Sequence, residues 1–188
     1  MGKSLNVVTV SGGLQNPSRT SALVHALATQ LAKHRPVHIH AIEVGEIASE
    51  LGQVVNPARA PAAIEHAIKT IEQADFLIVG TPVYRGSYTG LFKHLFDLVH
   101  YEALINTPVL LSATGGSDRH TLMIDHQLRP LFAFFQANTL PVGVYGVEGE
   151  FENYQVNSIT LQNRIELAIQ RALPVLDQLH PTNKALAA

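Results

Sequence analysis

The stretch that decides the fold is SGGLQNPSRTS, residues 11–21, which directly follows the apolar run LNVVTV at residues 5–10. Gly12 and Gly13 allow a sharp backbone turn and a close approach of main-chain N–H groups to an anion. Pro17 ends strand pairing, and the four residues after it supply three hydroxyls and a guanidinium where an apolar-periodic segment begins. The stretch therefore predicts a strand, a phosphate-binding turn and the start of a helix.

This predicted phosphate-binding turn lacks two common nucleotide motifs. It contains neither the G-x-G-x-x-G fingerprint of dinucleotide-binding folds nor a Walker sequence ending in Gly-Lys-Ser/Thr. A monoester phosphate is therefore favoured over a nucleoside triphosphate or an NAD bound in Rossmann fashion. On this stretch alone, the alternative is an ordinary strand-to-helix loop with Ser18 as the N-cap.

Composition limits the possible classes of protein. A chain of 188 residues with 46% hydrophobic and 15% charged residues predicts one globular domain, residues 1–180, with a disordered tail at 181–188. The net charge of −2 argues against nucleic acid, and no apolar run approaches the ~20 residues of a membrane span. Without cysteine, redox chemistry would need a bound cofactor. The N-terminus shows no signal segment, so we expect a cytoplasmic protein.

Helix-like and strand-like patterns alternate along the rest of the chain. Continuous apolar runs at 76–79 and 108–111 are typical of central strands covered on both faces, whereas the alternation at 37–42 is typical of a strand at or near the sheet edge. There His38 and His40 should face solvent, so no metal site is predicted. The weak pattern at 43–60 indicates a loop with at most a short helix. The predicted helices are 22–34, 61–75, 88–99, 122–135 and 158–179, and the predicted strands are 5–10, 37–42, 76–80, 108–113 and 139–146.

This order predicts an α/β fold, a doubly wound five-stranded parallel sheet of flavodoxin-like order 2-1-3-4-5 with helices on both faces. Two further loops, at residues 81–88 and 114–117, follow the carboxyl ends of predicted strands. Ligands of such sheets lie outside these strand ends, near the point where the strand order reverses. We therefore expect both loops to share one crevice with the turn at 11–21.

Two apolar segments predict contact with another subunit. Residues 91–99 and 131–135 carry more apolar side chains than one small domain should cover, which indicates a homo-oligomer. Pro130, between them, lacks a backbone donor and must bend its helix or begin a new one.

Taken together, these residues resemble the NAD(P)H-dependent FMN reductase family, and within it the flavin-supplying partners of two-component alkanesulfonate and methanesulfonate monooxygenases. The methanesulfonate branch is the more similar, because alkanesulfonate reductases carry Tyr where this chain has His126. Many members have an Arg soon after the first glycines, where this chain has Leu14, Gln15 and Asn16. The resemblance depends on PSRTS at 17–21, TPVY at 81–84, Tyr88, Gly90 and Lys93, Asp97 and Leu98, ATGG at 113–116 and DHQLRP at 125–130.

The resemblance implies that NADH or NADPH donates a hydride to FMN, which leaves in reduced form for an FMNH2-dependent sulfonate monooxygenase. It implies no catalytic acid or base. His126 would lie in a π-bulge at a subunit interface and modulate flavin exchange. The implied cofactor-binding residues are Ser11, Ser18, Arg19, Thr20 and Ser21 at the phosphate, Pro82, Val83, Tyr84, Arg85, Gly86 and Ser87 beside the isoalloxazine, and Thr114, Gly115 and Gly116 on its far side.

Three other functions stay open on the sequence. A quinone or azo reductase would keep FMN tightly bound and pass electrons to an aromatic acceptor. A flavodoxin-like electron carrier is typically strongly acidic and covers its flavin with aromatic rings, whereas this chain is nearly neutral and has no Trp. A regulatory subunit without flavin is the third.

Overall fold

The computed structural model describes residues 4–180, so the predicted disordered tail at 181–188 lies outside the described residues. The main sheet is entirely parallel, with the order β2-β1-β3-β4-β5 and with β6 also paired to β4. The predicted order 2-1-3-4-5 is confirmed. The strands are β1 (Leu5–Ser11), β2 (Val37–Glu43), β3 (Phe76–Pro82), β4 (Pro108–Gly115), β5 (Asn138–Thr139) and β6 (Val144–Val147).

Helices cover both faces of the sheet, as predicted. Helices α1 and α6 pack on one face, and the remaining four pack on the other. This double cover explains why the side chains of β3 and β4 are buried almost throughout. Among residues 4–180, no helix combines the length and the apolar character needed to cross a membrane. The helices are α1 (Arg19–Ala32), α2 (Val44–Leu51), α3 (Ala62–Glu72), α4 (Gly90–Asp97), α5 (Arg129–Phe134) and α6 (Ile159–Leu179).

The fifth strand differs from the prediction, because the segment 139–146 is broken into β5 and β6. Both pieces pair with β4. Between the pairs Val109–Thr139 and Ser112–Val144, β4 spans three residues, whereas the segment paired with it spans five. The two extra residues form a bulge that contains Pro141, which has no N–H to donate to a ladder. Within residues 4–180 the sheet therefore has six strands, one more than predicted.

The segment 43–60 contains the short helix that its weak pattern allows, whereas the hairpin after β6 is not predicted. Residues Val44–Leu51 form this helix, α2, because Val44 and Leu51 bury their side chains in the core on that face. After β6, a short antiparallel hairpin is formed by β7 (Phe151–Glu152) and β8 (Gln155–Val156). This hairpin becomes important at the site.

The helix predicted around Pro130 is irregular, as expected. Residues Ile124–Leu128 form a π-helix that runs directly into α5, and the Arg129 N–H donates to the Ile124 carbonyl five residues back. Pro130 lacks the N–H that would donate to the His126 carbonyl in a regular α-helix, and its ring would crowd that carbonyl. The wider π turn avoids this conflict.

Helix α4, in the first of the two segments predicted to contact another subunit, packs most of its apolar side chains inside its own chain. Phe92, Leu95 and Phe96 of α4 are fully buried within the chain itself, against α2, α3 and the sheet. Exposed apolar surface lies on Phe134, in the second predicted segment 131–135, at 68% exposure, and on Tyr101, at 58%. The oligomeric state stays a prediction that depends on this second surface.

Candidate functional site

The turn at 11–21 and the loops after β3 and β4 meet in a cleft of about 210 Å³. The cleft lies at the carboxyl ends of β1, β3 and β4, as the topology predicts. Nine of the predicted site residues line it, whereas Ser11, Ser21, Arg85, Gly86 and Ser87 do not. The lining residues are Gly13, Leu14, Gln15, Pro17, Ser18, Arg19, Thr20, Pro82, Val83, Tyr84, Thr114, Gly115, Gly116, Glu148 and Tyr154.

The N-terminus of α1 borders this cleft. The Ser18 hydroxyl caps the helix by accepting a hydrogen bond of 3.3 Å from the Ser21 N–H. Gly13 is required beside the cap, because a Cβ there would lie 2.4 Å from Ser18 Oγ. The first N–H groups of a helix lack carbonyl partners within it, and the helix dipole is positive at this end. This end of the cleft is therefore suited to an anion.

A chain of hydrogen bonds lies behind the turn. As a carboxylate, Glu43 can only accept, so the Ser21 hydroxyl donates to Glu43 Oε2 at 2.6 Å. The Ser11 hydroxyl then donates to Ser21 Oγ at 2.9 Å and accepts from the Gly13 N–H at 3.4 Å. His25 Nε2 lies 3.3 Å from the other Glu43 oxygen. Ser11 and Ser21 thus hold the turn from behind, and Glu43 is a supporting residue that the sequence did not suggest.

Arg19 is the cation at the anion-binding end of the cleft. Its Nη2 lies 2.5 Å from Glu148 Oε1, and its guanidinium carbon lies 5.4 Å from the centre of the Tyr154 ring. Sequence reasoning missed both partners. Glu148 directly follows β6, so the rule that parallel strands end at the ligand crevice could have identified it. Tyr154, in the hairpin turn, had no such signal.

The loop after β3 ends in a tight turn on the rim of the cleft. The Tyr84 N–H donates to the Ser87 carbonyl at 2.9 Å, and the Ser87 N–H donates back to the Tyr84 carbonyl at 3.2 Å. Between them Arg85 and Gly86 are exposed and have positive φ, at 53° and 83°. The Ser87 hydroxyl also donates to Gln127 Oε1 at 3.2 Å. The rim of the cleft is therefore connected to the π-helix.

The loop after β4 supplies the third wall. Thr114 is buried, and its hydroxyl is 2.6 Å from that of Thr20, which joins this loop to α1. Gly115 is needed for internal packing, because a Cβ there would lie 2.1 Å from Tyr145 Oη. At Gly116 a Cβ would have no neighbour within 4 Å among the described residues, so this glycine leaves the edge of the cleft open. Burial raises the pKa of the Tyr145 phenol, and the charge of Asp118 adds to this, so Tyr145 stays a neutral donor to the Ser117 carbonyl.

A second and larger cavity, of about 1100 Å³, lies on the face covered by α3, α4 and α5. Its lining includes Tyr88, His126, Gln127 and the exposed ring of Phe134. His126 is exposed and does not line the cleft. Any influence of His126 on the cleft must therefore pass through the π-helix or through another subunit.

A partly buried ion pair anchors the segment that follows β6. Arg164 of α6 donates to both oxygens of Glu150, at 2.6 and 2.5 Å, and the Val147 N–H donates to Glu150 Oε2 at 3.0 Å. Burial alone would raise the pKa of the Glu150 carboxyl, but these hydrogen bonds and the Arg164 charge outweigh it and hold the pKa below its usual range. Glu148 and Tyr154 are thereby held near the cleft.

This anchor predicts a loss of stability in acid. Folding lowers the pKa of Glu150, so the ionised carboxylate stabilises the folded state. This contribution to the free energy of unfolding is fully present above the ordinary pKa of 4.5 and is lost as the pH falls below it. Glu150→Gln should cost about 1 kcal/mol at neutral pH, a modest value because Arg164 is 38% exposed. Thermal unfolding between pH 7 and pH 3 should show a smaller acid loss in this variant than in the wild type. An equal loss in both would contradict the assignment.

The described residues 4–180 contain no group of three or more His, Cys, Asp or Glu residues placed to hold a metal ion. His38 and His40 are exposed on the edge strand β2, as predicted. The polar groups that line the cleft are backbone amides, hydroxyls, the Arg19 guanidinium and the Glu148 carboxylate.

Comparisons with known proteins identify the family of the chain. The protein family described as NADPH-dependent FMN reductase matches residues 5–152. The chain is 57% identical to the NADH-dependent FMN reductase SfnF of Pseudomonas fluorescens, covering 93% of this chain and 94% of that protein. It is 53% identical to an NADPH-type FMN reductase of Pseudomonas aeruginosa, again covering 93% and 94%. Among solved structures, an oxidoreductase from Corynebacterium diphtheriae superposes with a TM-score of 0.83 at 28% identity, covering 93% of this chain and 98% of that one.

Proposed function

Because this chain belongs to the NADPH-dependent FMN reductase family, we propose that it oxidises NADH or NADPH and supplies reduced FMN to a partner monooxygenase of sulfonate metabolism. The observation that carries the proposal is the cleft of three loops, with a capped helix N-terminus and Arg19 at one end. FMN, when bound, accepts a hydride from the nicotinamide. The protein itself contributes binding and orientation, which is why the cleft needs no acid or base.

The anion-binding end of the cleft fits the FMN phosphate. Ser18, Thr20 and the N–H groups of the first turn of α1 surround this end, and Arg19 supplies a positive charge. Ser11 and Ser21 support the turn through Glu43. We assign them to the phosphate site as residues that hold its shape.

The other end of the cleft fits a flat ring. Its walls are the backbone of residues 82–84 and of residues 114–116, where Gly116 leaves open space. A cleft of about 210 Å³ is smaller than the ~300–1,000 Å³ of most ligand pockets. We therefore place the isoalloxazine across the exposed turn at Arg85, Gly86 and Ser87, where a nicotinamide can stack on it.

We propose that the protein works as a homo-oligomer in the cytoplasm. The apolar cavity of about 1100 Å³, with Phe134 and Tyr101 exposed at it, is the surface that a second subunit would cover. A monomeric mass by light scattering at micromolar concentration would contradict this part of the proposal.

The function is tested by NADH and NADPH oxidation with and without added FMN, followed by the loss of nicotinamide absorbance. We expect turnover that depends on added FMN, and a higher KM for riboflavin, which lacks the phosphate. The absence of FMN-dependent oxidation would contradict the proposal. A protein that stays yellow through dialysis and reduces quinones or azo dyes would favour the alternative of a tightly bound cofactor.

A further inference from the structure

Three side chains from separate elements meet at the anion-binding end of the cleft. Arg19 is in the first turn of α1, Glu148 follows β6, and Tyr154 is in the turn of the β7–β8 hairpin. The carboxylate of Glu148 holds the Arg19 guanidinium at 2.5 Å, and both side chains are partly exposed, at 58% and 39%. All three residues line the same cleft as Ser18 and Thr20. The cation proposed to bind the phosphate is therefore already paired with an anion.

The backbone at Tyr154 supports a specific role for its ring. The hairpin is closed by the two residues Asn153 and Tyr154, whose φ angles are 50° and 58°. A hairpin turn with two positive φ angles favours glycine at the second place, and a bulky residue in this region is strained. The chain nevertheless has tyrosine here, and its ring lies over the Arg19 guanidinium. Turn geometry alone does not explain this choice.

The segment that carries Glu148 is fixed independently of Arg19. Glu150 is held by Arg164 and by the Val147 N–H, and its carbonyl accepts from the N–H groups of Asn157 and Ser158 at 3.0 and 3.2 Å. Glu148 is two residues away from this anchor, so the position of its backbone beside Arg19 does not depend on the ion pair. It is a built-in anion at the place proposed for the FMN phosphate.

We propose that Glu148 competes with the FMN phosphate for Arg19, and that this competition keeps FMN weakly bound and exchangeable. This inference rests on the proposed function. Binding of FMN must break the Glu148–Arg19 pair and brings a phosphate dianion close to the carboxylate. Both effects oppose FMN binding, and both favour departure of the reduced product. Glu148 is thus an affinity-determining residue for FMN, and Tyr154 keeps the guanidinium at the mouth of the cleft.

The test is the isosteric variant Glu148→Gln, with FMN and riboflavin as matched ligands. Breaking an exposed ion pair and removing a like charge each change affinity by a few-fold, so the Kd for FMN should fall about tenfold. The Kd for riboflavin should not change, because riboflavin has no phosphate. Both constants are measured by quenching of flavin fluorescence. An unchanged or weaker affinity for FMN, or equal tightening for both flavins, would overturn the inference.

Glu152→Gln is the matched control. It removes the same charge four residues further along the chain, but Glu152 accepts a hydrogen bond from Asn157 Nδ2 at 2.8 Å and does not line the cleft. Its Kd for FMN should equal that of the wild type. If Glu152→Gln lowers the Kd for FMN as much as Glu148→Gln does, the effect is one of net charge and the inference fails.

A double-mutant cycle tests whether the effect passes through Arg19. In an Arg19→Ala background, Glu148→Gln should lower the Kd for FMN by a smaller factor than it does in the wild type. The full effect persisting without Arg19 would contradict competition for the guanidinium. Failure of this inference is distinct from failure of the proposed function, since the wild type would then still show saturable FMN binding and FMN-dependent oxidation.

Discussion

Replacing Arg19 with alanine should raise the Kd for FMN about tenfold to hundredfold. A hydrogen bond to a charged group contributes ~1.5–3 kcal/mol, and Arg19 is the cation among the residues that line the cleft. Folding should hardly change. The guanidinium contacts Glu148 and the Tyr154 ring at the surface, and exposed pairs of this kind contribute at most ~1 kcal/mol.

Flavin fluorescence quenching measures this effect, and thermal unfolding checks the fold. Arg171→Ala is the matched control, because Arg171 is exposed on α6, does not line the cleft and carries the same charge. Riboflavin should bind the Arg19 variant and the wild type equally. An unchanged Kd for FMN in Arg19→Ala would remove Arg19 from the site, and an equal loss of riboflavin affinity would place it away from the phosphate.

The parallel sheet was predictable because its central strands are apolar throughout. The runs at Phe76–Val79 and at 108–111 have no polar face, so helices must cover both sides. Glycines after β1 and β4 then mark the turns at the carboxyl ends of these strands. Sheet order and the position of the cleft followed from these local signals and from the handedness of the connections.

The partners of the site residues were not predictable in this way. Glu148 and Tyr154 lie more than 120 residues from Arg19, and the ion pair of Glu150 with Arg164 on another helix holds their segment beside it. The direction of the serine hydroxyls likewise depends on where β2 ends, because Glu43 is its last residue. Periodicity locates an element along the chain, but it does not specify which side chains meet between distant elements.

The apolar surface shows a second limit of sequence reasoning. Phe92 and Phe134 are equally hydrophobic, yet one is fully buried and the other is 68% exposed. The difference arises because α4 packs against α2, an element that the sequence did not predict clearly. Counting apolar residues therefore marks both segments, 91–99 and 131–135, but it does not distinguish the buried ring of Phe92 from the exposed ring of Phe134. The irregular helix at Pro130, by contrast, followed from a local steric rule and is confirmed.

Deletion of His126 should convert the π-helix to a regular helix. The Arg129 N–H bonds the Ile124 carbonyl across five residues, and removal of one residue between them makes this the four-residue bond of an α-helix. Residues on either side of the deletion then rotate relative to each other by about 100°. Gln127, which accepts from the Ser87 hydroxyl, would lose this contact with the rim of the cleft.

The consequence for function is the largest we expect. The rim turn at 84–87 is where we place the flavin ring, and the cavity lined by His126 is where we place the second subunit. Loss of the π-helix would change both surfaces together. We therefore expect the deletion variant to retain FMN through purification and to lose FMN-dependent oxidation of NADH and NADPH.

The substitution His126→Ala separates the effect of the imidazole side chain from the effect of the additional residue that makes the π-helix. It keeps the chain length, and therefore the π-helix, while it removes the imidazole. If the insertion is what matters, His126→Ala should purify without flavin and turn over like the wild type, whereas the deletion variant should be yellow and inactive. Absorbance of the purified proteins and NADH oxidation with added FMN measure both properties. A deletion variant that is colourless and fully active would refute the role of the π-helix, because regular helical bonding would then be compatible with free exchange of FMN.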